Sequence, residues 1–340
     1  MNGRERFETA LDLGRADQVP VAPPFQGFWA LDAFGVSVPT SLADPAKAAQ
    51  AIIQAQQECP FDGLEVVWDW IMNIDLLGCK SRIVDQGSPV VVEHVLSAGP
   101  DVAKLRSIDR TSDARIEAAV VSAEILLGQL ADEYFCFAEC AAPFTLASYL
   151  RGVSDLMTDL YKHPDAVDDL LDFATEVVID EVRLFASLGV HGVCIGDPSA
   201  SGSVIAPRHY SRFAMPSTKR VIDAAKELGL KPMLHVCGDT TKILPYINEI
   251  SPAAFTFDYA ADVAVVKEAI GDTVCLIGNL DPSGTLLMGS AEKVRQDTQD
   301  CIAKGWKGGG YVVAGGCDVG VETPIENVKT MVETCALAKY

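Results

Sequence analysis

The stretch Pro232-Met233-Leu234-His235-Val236-Cys237-Gly238-Asp239 carries an imidazole and a thiol two positions apart at the end of a short apolar run. In an extended chain residues i and i+2 face the same side, so His235 and Cys237 can offer one nitrogen and one sulfur to a common point. That is half of a tetrahedral metal site. A third soft ligand stands eighty positions on, where Cys317 follows a second apolar run and two glycines in Tyr311-Val312-Val313-Ala314-Gly315-Gly316-Cys317. One imidazole and two thiolates suit zinc with one coordination position open. Glycines beside both thiols fit a backbone that turns at the ligands. The competing account makes His235 a satisfied core or loop histidine and each Cys a small buried hydrophobe. Five His and ten Cys in the chain are enough to give a His-x-Cys pair by chance.

For strands near 231–235 and 310–313 to bring these ligands together, the elements between them must close on themselves. The sequence predicts an opening helix at 2–13, a short buried strand at 19–22, and a loop through Pro23, Pro24, Gln26 and Gly27. A helix follows over Pro45–Glu58, with Ala48, Ile52, Ile53 and Ala55 on its apolar face. A second strand at 64–68 ends at Asp69, and residues 81–95 read as a hairpin-like insertion around Gly87, Ser88 and Pro89. Then come a helix at 115–130, a third strand at 134–138, and a long helix at 164–188 stopped by Gly189. Strands at 190–195, 231–235, 254–257, 274–277 and 310–313 alternate with helices near 207–228, 240–250, 262–270, 291–304 and 324–336. Eight strands, each followed by at least one helix, imply a parallel sheet closed into a single (β/α)8 TIM barrel. An open doubly wound sheet is disfavoured, because no G-x-G-x-x-G follows a strand and no Walker loop occurs. Without a linker or repeat, one domain over 1–340 is expected.

Barrels of this kind carry their chemistry at the C-terminal ends of the strands. Those ends hold Gln26 after the first strand, Asp69 after the second, Glu139 and Cys140 after the third and Asp197 after the fourth. His235 and Cys237 follow the fifth, Asp258 the sixth, Asn279 and Asp281 the seventh, and Cys317 the eighth. Loops are polar in any fold, which accounts for the carboxylates but not for a His and two thiols at one rim. Phe25, Phe28 and Trp29, with Trp68 and Trp70, line an apolar pocket over the mouth in one account and belong to the core in the other. Cys136 and Cys140 read as core thiols, and His94, His163, His191 and His209 as structural. Neither a nucleophile elbow nor His-Glu-x-x-His is present, so serine-hydrolase and zincin chemistry have no support.

A formal charge of −20 argues against a nucleic-acid partner, which needs a basic patch. No apolar run reaches the roughly eighteen residues of a membrane span. Ten unevenly spaced cysteines without a secretory leader point to reduced thiols and a cytoplasmic protein.

From His235-Val236-Cys237-Gly238-Asp239-Thr240-Thr241-Lys242-Ile243-Leu244, the sequence resembles the uroporphyrinogen decarboxylase superfamily. Within it the likeness is to the zinc-dependent branch, the corrinoid-linked methyltransferases of the methylcobamide:coenzyme M type. Further blocks in the same order carry the likeness: Pro143-Phe144-Thr145-Leu146-Ala147-Ser148, Gly196-Asp197-Pro198, Ile277-Gly278-Asn279-Leu280-Asp281-Pro282, and Gly316-Cys317 with Thr323-Pro324-Ile325-Glu326-Asn327. The resemblance implies an eight-stranded barrel, zinc on His235, Cys237 and Cys317, and Asp258 as a fourth ligand when no substrate is bound. It also implies a corrinoid (cobalamin) supplied by a carrier protein and a small thiol of the coenzyme M type as methyl acceptor. Substrate contacts are expected among Gln26, Phe28, Trp29, Trp68, Asp69, Glu139, Asp197 and Asn279. Decarboxylases of the superfamily have an arginine-rich segment after the first strand; here residues 21–29 contain no Arg, which argues against a porphyrinogen substrate. A methoxyaryl O-demethylase component that passes methyl to a corrinoid protein is the alternative within the branch. A non-catalytic corrinoid-binding barrel is the alternative outside it, and a homo-oligomer stays open.

Overall fold

Seven parallel strands curl side by side in the order β1-β4-β5-β6-β7-β8-β9. They are β1 Gly63–Val67, β4 Phe135–Ala141, β5 Gly192–Gly196, β6 Lys231–Val236, β7 Ala254–Phe257, β8 Cys275–Ile277 and β9 Tyr311–Val312. The remaining two, β2 Lys80–Arg82 and β3 Val90–Glu93, form the antiparallel hairpin expected at 81–95. The structure is a computed structural model that describes residues 1–22, 25–110 and 113–338. Pro23 and Pro24, assigned to a loop from the sequence, lie outside the described residues.

The strand expected at 19–22 closes the barrel, but as a single bridging residue. Val21 bridges Val313 in parallel. Ala22 N–H donates to the Val313 carbonyl at 3.0 Å, and Val313 N–H donates to that of Pro20 at 2.9 Å. On the other side Asp62 N–H donates to the Val21 carbonyl at 2.8 Å. The Val21 N–H is taken by the Asp62 carboxylate at 2.9 Å, and Arg6 pairs with that carboxylate from the opening helix Gly3–Leu11. Pro20 has no N–H to give to a ladder, which is a physical reason for so short a stave.

Elsewhere the sequence-based bounds hold to within a few residues, and three differences bear on function. The third predicted strand runs on to Ala141, so Glu139 and Cys140 lie within β4 instead of after it. The helix expected at 207–228 is interrupted by a π-helical turn, Tyr210–Ala214. Phe28 and Trp29, placed in a loop from the sequence, belong to a helix, Gly27–Ala33. Helices Val38–Ala43, Pro143–Arg151 and Val153–Lys162 were not foreseen. The long helix Pro164–Leu188 is as expected, with proline in its first turn and Gly189 left-handed at φ 86° after it.

Strand parity sorts the side chains. Phe135, Phe137, Cys194, Met233, Ala254, Cys275, Ile277 and Val312 pack together as the barrel interior. Continuing the same parity toward the C-terminal ends gives Glu139 on β4, His235 on β6 and Thr256 on β7. Apolar layers below thus give way to a polar layer at the mouth. Among the described residues no helix is long and apolar enough to cross a membrane.

Candidate functional site

His235 sits one residue before the end of β6, and its in-register neighbours are Gly196 on β5 and Thr256 on β7. Register puts the Thr256 hydroxyl beside the ring, 3.2 Å from Nδ1, while Nε2 faces the Cys237 sulfur at 3.2 Å. A partner on Nδ1 fixes ring orientation and leaves the other nitrogen for a ligand. The Phe25 ring packs edge-on against the imidazole at 4.8 Å.

Cys317 arrives by continued pairing beyond β9. Leu280 and Gly315 form a parallel bridge, and Gly316 N–H donates to the Leu280 carbonyl at 2.8 Å. That extension carries the Cys317 sulfur to 3.9 Å from the Cys237 sulfur and 3.9 Å from His235 Nε2. Both thiols depend on a neighbouring glycine. At Gly316 a Cβ would stand 2.5 Å from the Tyr259 nitrogen. Gly238 is left-handed at φ +71°, and a Cβ there would meet Ser201 Oγ at 2.6 Å. Any side chain at either position would push a sulfur out of place.

All three donor atoms lie within 4.8 Å of one another, the one such His/Cys/Asp/Glu group among the described residues. Tetrahedral zinc with bonds of about 2.3 Å to sulfur and about 2.05 Å to nitrogen separates two sulfurs by about 3.8 Å and sulfur from nitrogen by about 3.6 Å. The observed 3.9, 3.9 and 3.2 Å fit that set. Hydrogen bonding to Cys237 and then burial push the Cys317 thiol well up. A cation bound beside it would reverse that shift. The other eight cysteines are buried, whereas Cys237 and Cys317 are half-buried and open to a ligand.

A cleft opens on the side of Phe25, which packs on His235, and of Asp318, which follows Cys317; none of the three donors lines it. Its walls include Phe25, Phe28, Trp68, Trp70 and three acids, Glu65, Glu139 and Asp318. Glu65 is 1% exposed; Oε2 accepts the Gln26 and Gly27 N–H groups at 2.9 Å each, and Oε1 has no partner. Burial pushes Glu65 up to about 8. It also raises Glu139 well above the carboxylate range, with the charges of Glu65 and Asp318 adding to the effect. Asp318 is likewise raised by burial and opposed by His235.

With this geometry in view, comparison with known proteins identifies the family. The sequence matches uroporphyrinogen decarboxylase (URO-D) over residues 2–337. The chain belongs to the URO-D family. Among curated relatives it is 29% identical to the methylated-thiol–coenzyme M methyltransferase of Methanosarcina mazei, over 98% of this chain and 89% of that protein. It is 26% identical to the methylcobamide:CoM methyltransferase MtbA of Methanosarcina acetivorans, over 99% of this chain and 98% of that protein. A solved methyltransferase from Methanosarcina mazei superposes with TM-score 0.87 at 23% identity, covering 99% of this chain and 98% of that one, and so shares the fold.

The remaining residues singled out from sequence fall in several places in this URO-D family chain. Phe28, Trp68 and Glu139 line the cleft. Gln26 is wholly buried beside it, with neither carboxamide atom partnered. Trp29 is wholly buried and gives its indole N–H to the Thr323 carbonyl at 2.9 Å, which makes it a core residue. Asp69 is held by Arg115, whose Nη2 reaches its two oxygens at 2.8 and 2.7 Å. Asp197 accepts from the Thr145 hydroxyl at 2.7 Å, gives its N–H to the His235 carbonyl at 2.8 Å, and is pushed up to about 7 by burial. Asn279 spends its amide donors on the carbonyls of Asp258 and Ala261 at 3.0 and 2.7 Å, pinning the loop after β7. Asp258 turns its carboxylate to the Ala260 N–H at 2.9 Å and stands outside the three-donor group.

Two acids of the cleft are not among the residues expected from sequence. Glu65 stands inside the apolar strand Leu64-Glu65-Val66-Val67, where a lone carboxyl is the only local signal of a polar site. Asp318 directly follows Cys317, and nothing in its spacing sets it apart from other loop acids.

Proposed function

We propose that this protein moves a methyl group between a corrinoid, held by a separate carrier protein, and the sulfur of a small thiol, with zinc on His235, Cys237 and Cys317. The observation that carries this reading is the set of three donor separations, which suits a tetrahedral ion with one position free. The names of the two curated relatives, both for methyl transfer involving coenzyme M, support methyl moving to or from sulfur. When bound, zinc supplies a Lewis acid that keeps a thiol ionised near neutral pH.

The chain's own residues do the rest. Thr256 holds the His235 ring by Nδ1, so that Nε2 stays aimed at the site. Phe25 backs the imidazole and excludes water from one side. The two ligand sulfurs are half-buried, and we take a substrate to reach them from the neighbouring cleft. We take the corrinoid carrier to dock over that mouth.

One observation favours a second reading. Trp68, Trp70 and Phe28 give the cleft aromatic walls that suit a methoxylated aromatic as methyl donor. Porphyrinogen decarboxylation gains no support, since no Arg lines the cleft among the described residues.

Turnover of methylcobalamin with a panel of thiols, run beside methoxyaryl donors with reduced cobalamin, separates these readings. Methyl transfer to thiol is the expected result, with zinc close to one per chain by metal analysis. No transfer in either assay, with corrinoid binding retained, would favour the non-catalytic barrel. We expect Asp258→Ala to keep its metal and to change substrate exchange; complete metal loss there would make Asp258 an obligatory ligand.

A further inference from the structure

The cleft beside the three donors has an electrostatic character that narrows the substrate. Three carboxyl groups, Glu65, Glu139 and Asp318, converge on it, and among the described residues no lysine or arginine lines it. Surface acids are common and mean little, but Glu65 and Glu139 are 1% and 6% exposed. A buried carboxyl normally has a matching cation, as Asp69 has in Arg115. Glu65 has no cation: backbone N–H groups fix Oε2, Oε1 meets no donor, and the side chain that interacts with it is another carboxyl, Glu139. Gln26, between the cleft-lining Phe25 and Gly27, adds a buried carboxamide with no partner on either atom. Unmet polar atoms at such burial are costly unless a ligand or water meets them.

The neutral walls agree with the charged ones. Trp68, Trp70 and Phe28 line the same space, and an aromatic ring face attracts a cation and repels an anion. The parity of the strands also leaves room. Gly196, in register with His235, carries no side chain where a Cβ would stand 3.4 Å from Glu139 Oε1, so no side chain at that position separates the two.

Resting on the thiol reading above, we propose that the cleft selects a small thiol whose other end is a cationic amine, and disfavours one ending in a sulfonate or carboxylate. The ammonium group sits among Glu65, Glu139 and the indole rings while the sulfur reaches the donor trio. Coenzyme M, a mercaptoethanesulfonate, would bring a fixed negative charge to a wall that offers it carboxyls and aromatic rings and, among the described residues, no lysine or arginine.

The test is calorimetric binding of three thiols that share one two-carbon body to the zinc-loaded protein: 2-aminoethanethiol, 2-hydroxyethanethiol and 2-mercaptoethanesulfonate. The amine is expected to bind at least about tenfold more tightly than the sulfonate, with the alcohol between them. In Glu65→Gln and Glu139→Gln the amine-to-sulfonate ratio should fall toward one. That ratio cancels intrinsic differences in thiol acidity, because each variant meets the same ligands. Sulfonate binding equal to or tighter than amine binding in the unaltered protein would overturn the charge assignment and leave the thiol reading standing. Binding of none of the three would overturn both. A preference for the amine that neither variant reduces would remove Glu65 and Glu139 from it, and the assignment with them.

Discussion

Glu65 lies within β1 and Asp69 two residues past its end; the first is buried and the second nearly so, yet they meet opposite fates. Asp69 faces Arg115, with a guanidinium that spans both its oxygens and also reaches Asp75 at 2.7 Å. Burial pulls the Asp69 carboxyl up, and the guanidinium opposes it. Glu65 faces the barrel interior, where its neighbours are other acids and two backbone N–H groups. The first is a matched pair that ties helix Ala114–Leu130 to the mouth. The second is a mismatch maintained beside the donor trio. A buried acid with structural duty is paired; one left unpaired next to a reactive centre is available to something the chain does not supply.

The contrast can be broken most forcefully at Arg115. Arg115→Ala strands Asp69 and Asp75, and urea denaturation should show a loss of about 3–5 kcal/mol, with the His235-Cys237-Cys317 geometry unaffected. A loss of well under that would mean that the Asp69 pair is no more structural than the Glu65 mismatch. Next in size is Cys317→Ala, which removes one of three donors. Metal content should fall from near one per chain, and methyl transfer by more than the roughly 10–100-fold that loss of a mere outer-shell partner costs. Normal metal retention in that variant would take Cys317 out of the site.

Glu181 provides a third case, a buried acid on helix Pro164–Leu188 with Asp69 and Asp180 as like-charged neighbours. Burial lifts its carboxyl from an ordinary 4.5 to about 8. The native state therefore holds a proton there that the unfolded state releases, and stability falls as pH rises from about 4.5 to about 8. Melting temperatures across that window should decline less in Glu181→Gln than in the unaltered protein. An unchanged slope would assign the pH dependence elsewhere. The smallest effect is expected at Glu139. Because that carboxyl has no cation to lose, Glu139→Gln should change unfolding free energy by less than about 1 kcal/mol or raise it. A loss as large as that in Arg115→Ala would show that Glu139 has a structural partner after all.

What could be read in the sequence follows from local periodicity. Alternation of strands and helices, the hairpin at 81–95 and the glycine stop after residue 188 are all set within a few residues of chain, and the structure has them where expected. His235 and Cys237 were legible as a pair because two residues of extended chain fix their relative direction. Phe28 and Trp29 were harder. The residues that decide whether they form loop or helix include Trp68, against which Gly27 packs so closely that a Cβ would stand 2.2 Å from its ring.

By itself, the sequence carried the strand-helix alternation of a barrel, which follows from local period, and the family likeness, which follows from its motif blocks; His235, Cys237 and Cys317 as a ligand set was an expectation from spacing and from that likeness. Tertiary structure alone decided that Cys317 comes within 3.9 Å of Cys237 across eighty residues. It also decided that Arg115 neutralises Asp69 from 46 residues away and that Glu65 points inward among acids. Register and barrel closure set those distances, and both arise from pairings between strands far apart in the chain, which no local pattern encodes.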